Sequence, residues 1–189
     1  MERFELSRKE REKAVRWVED DSWIRREAYR DDQEYLACVS DILENPVFQS
    51  MDNYIQHGHT TCRAHCIQVS YLSYRICRKH GWDFVAAARA GLLHDLFLYD
   101  WHTHAKETGN YFHGYTHPRV AMENAVKYFD IPEKEQKIIL RHMWPLTVVP
   151  PSSMAGMAIV YADKFCSLSE VGGHVKRWCS GMLRRNKIA

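Results

Sequence analysis

The chain has 189 residues, enough for one substantial core and short for two domains. Hydrophobic residues make up 46% and charged residues 26%, the proportions of a globular domain rather than a disordered or fibrous chain. With 26 Lys plus Arg against 24 Asp plus Glu, the formal net charge is +2, which gives no bulk electrostatic support for binding a nucleic-acid polymer.

Met1 to Glu5 is charged and lacks an apolar signal core, and no run of about 18 uncharged apolar residues follows it. The expectation is a cytoplasmic protein without a membrane span. From Arg8 to Arg30 charge is dense, with Val15, Trp17, Val18, Trp23 and Ile24 interspersed, as in one or two amphipathic helices on the outside of a core. Leu36, Val39, Ile42 and Leu43 predict a helix over 34–43, which Asn45-Pro46 breaks.

A polar turn from Gln56 to Thr61 precedes a predicted helix from Cys62 to Lys79, with Thr60 or Thr61 as N-cap and Gly81 as the stop. The apolar run Phe84 to Leu93 reads as a buried helix that ends at His94-Asp95. A loop of about twenty residues follows, carrying Tyr99, Trp101, His102, His104, Tyr111, Phe112 and His113, and loops this long in a compact domain are usually functional. Thr116-His117-Pro118 opens the next helix, with Pro118 in its first turn. Asp130-Ile131-Pro132-Glu133 reads as a capping box for a helix running to His142.

Pro145, Pro150 and Pro151 mark an irregular connection, and Leu146 to Val149 is too short and too flanked by proline for a strand. Ser153 to Ser169 reads as the last core helix. The predicted fold class is all-α, a single-domain helical bundle. Residues 1–50 would supply N-terminal helices packed on the core, 51–175 the main domain, and 176–189, with Arg184, Arg185 and Lys187, a basic solvated tail.

Six cysteines stand at positions 38, 62, 66, 77, 166 and 179 without a Cys-x-x-Cys pair, as reduced thiols of a cytosolic protein would. Cys62 and Cys66 share a helix face near His65, but no second Cys/His pair at zinc-finger spacing follows.

The doublet His94-Asp95 is the most informative feature. An ionised carboxylate buried without a partner costs several kcal/mol, roughly, so the end of an apolar helix is a poor place for one unless a cation offsets it. Five further positions complete a pattern with Asp95: His65, His94, His117, His142 and Asp163, each separated from the next group by about one helix and one connection. Such spacing lets them converge within a bundle. Taken singly, His65 also fits a satisfied core histidine, His117 a helix start, and His142 a cation at a helix C-terminus. Asp163, inside Ala158 to Phe165, needs a metal or a buried hydrogen-bond network, because Lys164, one residue on, points to a different face.

Together these residues resemble the signature of the HD-domain metal-dependent phosphohydrolases, in the form with two extra histidines that binds two metals. His65 lies within Thr61 to Val69, and Leu92-Leu93-His94-Asp95 is the doublet in its apolar setting. His117-Pro118 before Ala121, and His142 after Ile138-Ile139-Leu140, match the inserted pair; Ala162-Asp163-Lys164 matches the final Asp. The resemblance spans roughly residues 57–170. It implies a bundle of the HD-domain type and two divalent transition-metal ions, Fe or Mn foremost, with Ni, Co, Zn or Mg as alternatives.

By the same resemblance, His65, His94, Asp95 and Asp163 would hold one ion, and Asp95, His117 and His142 the second, with Asp95 bridging. The implied reaction is cleavage of a phosphomonoester, or of a nucleotide-type phosphoester or anhydride, by a metal-bound hydroxide. The substrate would be a small phosphorylated molecule and the enzyme a monomer or homodimer; one relative with this pattern cleaves diadenosine polyphosphates. Asp95 and Lys164 are the candidate catalytic residues. His59, His102, Lys106, His113 and Arg119, with His104, are candidate substrate contacts, and the aromatic loop offers a stacking surface for a nucleobase. Two other readings share the ligand set: an HD-type di-iron oxygenase, and a non-catalytic metal-binding signalling module. No phosphate-binding glycine loop or nucleophile elbow competes.

Overall fold

The computed structural model describes residues 28–57, 60–101 and 112–185. The amphipathic segment expected from Arg8 onward falls outside them up to residue 27; Ala28–Asp31 is a short 3-10 turn. Helix α1 spans Gln33–Leu43, capped by Asp32, whose carboxylate accepts from Tyr35 N at 3.0 Å. Asn45 does more than end α1. Its side chain caps a four-residue helix, α2 (Pro46–Gln49), accepting from Val47 N at 2.8 Å.

The polar turn is a small antiparallel ladder, β1 (Ile55–His57) against β2 (Thr60–Thr61), where the sequence pattern predicts no strand. Two or three residues carry too little period-2 pattern to be read. Strand alternation turns Gln56 inward while Ile55 faces solvent. Helix α3 (Cys62–His80) follows with Thr61 as N-cap, and Gly81 ends it at a φ of 68°, a left-handed cap that a Cβ would strain.

Helix α4 (Phe84–Leu93) is capped by Asp83 and lies closely against α3. Gly91 makes that approach possible, since a Cβ there would stand 2.6 Å from Ser70 Cα. Ser70 Oγ donates to Ala88 O at 2.6 Å, so the 2.8 Å contact with Tyr35 must be donated by the phenol. One serine thereby joins α1, α3 and α4.

Helix α5 spans His113–Tyr128 and α6 spans Glu133–Leu140. Both depart from the sequence pattern. Tyr115 N and Thr116 N already bond to Phe112 O, so α5 is formed one turn before Thr116, and Pro118 sits inside it without an N–H to donate. At α6 the capping position belongs to Pro132, with no side-chain cap from Asp130. The helix stops at Leu140, because Arg141 N and His142 N turn back to Ile138 O and Ile139 O in a tighter turn. Helix α7 runs from Met154 to Arg185, well past the expected end at Ser169 and through most of the segment read as a tail. Small residues on its inner face, Ala155, Ala158 and Ala162, let it pack against α3.

The result is an all-α bundle with α3 and α4 at its centre, among the described residues. None of its helices there is long and apolar enough to cross a membrane.

Candidate metal centre

Each site residue sits where a helix begins, ends or faces inward. His65 is in the first turn of α3, and His94 and Asp95 follow the last turn of α4. His117 is inside α5, His142 just beyond α6, and Asp163 on the inner face of α7. All six are at most 9% exposed. His65 Nε2 is 3.2 Å from Asp163 Oδ1, and His94 Nε2 lies between the carboxylates, 3.8 Å from Asp163 Oδ1 and 3.5 Å from Asp95 Oδ2. Asp95 Oδ1 is 3.2 Å from His117 Nε2 and 3.6 Å from His142 Nε2, and those two ring nitrogens stand 2.9 Å apart.

The ring orientations are set from behind. His94 Nδ1 meets Gly91 O at 2.9 Å, and His142 Nδ1 meets Ile139 O at 2.8 Å. A carbonyl only accepts, so both Nδ1 atoms carry protons and, in the neutral rings, the lone pairs are left on Nε2. His94 Nε2 and Asp95 Oδ1 are buried and complete no hydrogen bond. A buried imidazole nitrogen and a buried carboxylate oxygen, neither completing a hydrogen bond, are what a cation would satisfy. Among the described residues, two groups of three have ligand atoms close enough to share an ion: His65, His94 and Asp163, and His94, Asp95 and His142. No cysteine enters either group.

The charges of the cluster are tightly linked. Burial raises the Asp95 carboxyl, but His94, His117 and His142 override it and hold the group far below the usual carboxylate range. Asp163 is likewise held low by His65 and His94 against its burial. Burial favours neutral His65, yet Asp163 and Glu170 hold its pKa up at about 10. His142 is pushed down to about 3 by burial and by the neighbouring His117 and His94. Imidazolium protons balance the two carboxylates here, and divalent ions would supply the same positive charge.

A cavity of about 480 Å³ opens over the cluster, lined by Asp95, His117, His142 and Asp163 and, at its apolar side, by Trp101, Met143 and Leu168. Lys164 also lines it, so it and Asp163 share one opening despite being adjacent in sequence. Arg119 is exposed on α5 and does not line the cavity. His59, His102, His104 and Lys106 lie outside the described residues, and His113 is the first residue of α5.

Two residues were not singled out by sequence. Glu170 Oε1 is 3.1 Å from His65 Nδ1, its side chain 6% exposed. Its signal is weak: it follows Asp163 by two helical turns and so shares that face. Gln56 donates from Nε2 to Asp95 Oδ2 at 2.6 Å, from a strand too short to predict.

The HD domain family model matches residues 63–165, more than half of the chain and a span holding all six clustered residues. The chain belongs to the HD-domain family. Neither curated proteins nor solved structures give a significant match. HD-domain proteins are in general metal-dependent phosphohydrolases, and the paired His/Asp groups of this HD domain suit divalent ions. Gln56 and Glu170 lie outside the matched span.

Proposed function

We propose that this HD-domain protein is a binuclear metal phosphohydrolase acting on a small phosphomonoester or a nucleotide-type phosphoester or anhydride. The observation that carries the reading is the pair of orphaned buried atoms, His94 Nε2 and Asp95 Oδ1, in a cluster over which a cavity opens, lined by Asp95, His117, His142, Asp163 and Lys164. Two divalent transition ions, Fe or Mn foremost, would occupy the two sides of Asp95. His65, His94, Asp95 and Asp163 would hold one, and Asp95, His117 and His142 the other. Such a pair polarises phosphoryl oxygens and lowers the pKa of water.

The chain's own residues do the rest. Asp95, whose carboxyl the neighbouring His94 and His117 hold far below the usual carboxylate range against its burial, offers Oδ1 between the two sides of the cluster. Lys164, whose pKa burial lowers against the pull of Asp163, brings a positive donor to the cavity mouth for the phosphate oxygens. Trp101, Met143 and Leu168 give the organic part of the substrate an apolar wall and help exclude water. Reduced thiols at Cys38, Cys62, Cys66, Cys77 and Cys166 suit a cytoplasmic setting.

The test is a phosphate-release screen over nucleotides and phosphoesters with added Mn, Fe, Co or Ni. Metal-dependent release is expected, abolished in His94→Ala and in Asp95→Ala while helical circular dichroism persists. Release that survives in both variants would overturn the assignment, as would substrate-dependent oxygen consumption without phosphate release.

A further inference from the structure

Gln56 reaches Asp95 from outside the helical bundle, and its own orientation is fixed by a third residue. Its side chain is buried between β1 and the cluster, with Nε2 2.6 Å from Asp95 Oδ2. On the other side of the amide, Cys62 Sγ lies 3.1 Å from Gln56 Oε1. Cys62 is 1% exposed at the start of α3. Burial pushes its thiol up, so the sulfur keeps its proton and can donate it to the amide oxygen. Asp95 Oδ2 only accepts, so the amide turns its NH₂ to the carboxylate and its oxygen to Cys62.

We propose that Cys62 and Gln56 form a buried relay that positions Asp95, making Gln56 the positioning residue for the carboxylate shared by the two sides of the metal centre. This rests on the metal reading above. The relay occupies Asp95 Oδ2 with a neutral donor and leaves Oδ1, which completes no hydrogen bond, turned toward His117 and His142. A neutral amide does this without adding charge to a site meant for cations, where a lysine or arginine in the same place would compete with them. Residues that orient metal ligands through such bonds are commonly worth 10–100-fold in metal affinity.

The experiment is a Mn²⁺ titration of the full chain by calorimetry, with melting curves of the metal-free protein beside it. Gln56→Ala is expected to bind Mn²⁺ about 10–100-fold more weakly. Cys62→Ser, which keeps a donor of similar size, should stay close to the wild-type affinity, and Cys62→Ala should fall between. Should Gln56→Ala not fold, Gln56→Met keeps the length and drops the amide. Wild-type affinity in the Gln56 variant, or equal loss in Cys62→Ser and Cys62→Ala, overturns the relay. In metal-free protein the Cys62→Ala, Gln56→Ala double variant should melt no lower than the worse single variant; additive losses also overturn it. A wild type that binds no Mn²⁺, Fe²⁺ or Co²⁺ overturns instead the metal reading, and the metal-free melts then still decide whether the relay exists.

Discussion

The Nε2 atoms of His117 and His142 face each other at 2.9 Å, while the His142 Nδ1 proton is committed to Ile139 O at 2.8 Å. The His142 lone pair therefore points at another ring nitrogen, in a buried place beside Asp95. A proton on His117 or a cation between the rings resolves the opposition, and the cavity gives the cation a route in. His142→Ala should then lower the metal content of dialysed protein by about one ion per chain. The ion held by His65, His94 and Asp163 should remain. Elemental analysis reads this directly; loss of all metal, or of none, would refute two separable sites.

Glu170 stands behind His65 as the carbonyls of Gly91 and Ile139 stand behind His94 and His142. An anionic partner does more than a carbonyl: it strengthens the ring as a donor to a metal. Glu170→Gln keeps the shape and removes the charge. Its expected effect is a 10–100-fold loss of metal affinity on the His65 side, measured by chelator competition. Unchanged affinity would mean that Glu170 only fills space.

The clustered residues were legible in the sequence as a set spaced by about one helix and one connection, although His65, His117 and His142 taken singly also fit ordinary structural roles. Asp163 inside Ala158 to Phe165 is the clearest case. The helices themselves were legible from caps and spacing, as at Thr61 and Gly81. What failed was local. The early start of α5 depends on turn bonds to Phe112 O, and the early end of α6 on backbone bonds to Ile138 and Ile139, neither of which leaves a residue-type signature. Gln56 was hidden because its importance lies in a contact 39 residues away. Long-range hydrogen bonds of a common residue type have no sequence period to betray them.

Gly91 carries a packing constraint that reaches the site. A Cβ at this position would meet the Ser70 backbone at 2.6 Å, and backbone cannot rotate aside. Gly91→Ala should push α4 away from α3 and cost about 1–3 kcal/mol, the range for overpacked cores. That corresponds to a melting point lower by roughly 2–12 °C for a domain of this size. Because Gly91 O also orients His94, metal affinity should fall with stability. A variant that melts with the wild type would show that the two helices separate at little cost.

Glu135 offers a pH test away from the metal cluster. It is 2% exposed on α6, with Arg89 Nε at 3.5 Å, too far for a good hydrogen bond. Burial pushes its carboxyl from an ordinary value of 4.5 up to about 7, and Arg89 only partly opposes this. Between those two values the folded protein binds more protons than the unfolded chain. Its contribution to stability is therefore full below about pH 4.5 and is lost as pH rises through about 7. The loss is on the order of 1–2 kcal/mol once solvent screening and Arg89 are allowed for. Glu135→Gln cannot ionise, so the melting point of the variant relative to wild type should be higher at pH 8 than at pH 5. Taking the difference at each pH cancels the titration of the histidine cluster, which both proteins share. An equal difference at both values would show that Glu135 keeps an ordinary carboxylate pKa in the folded protein.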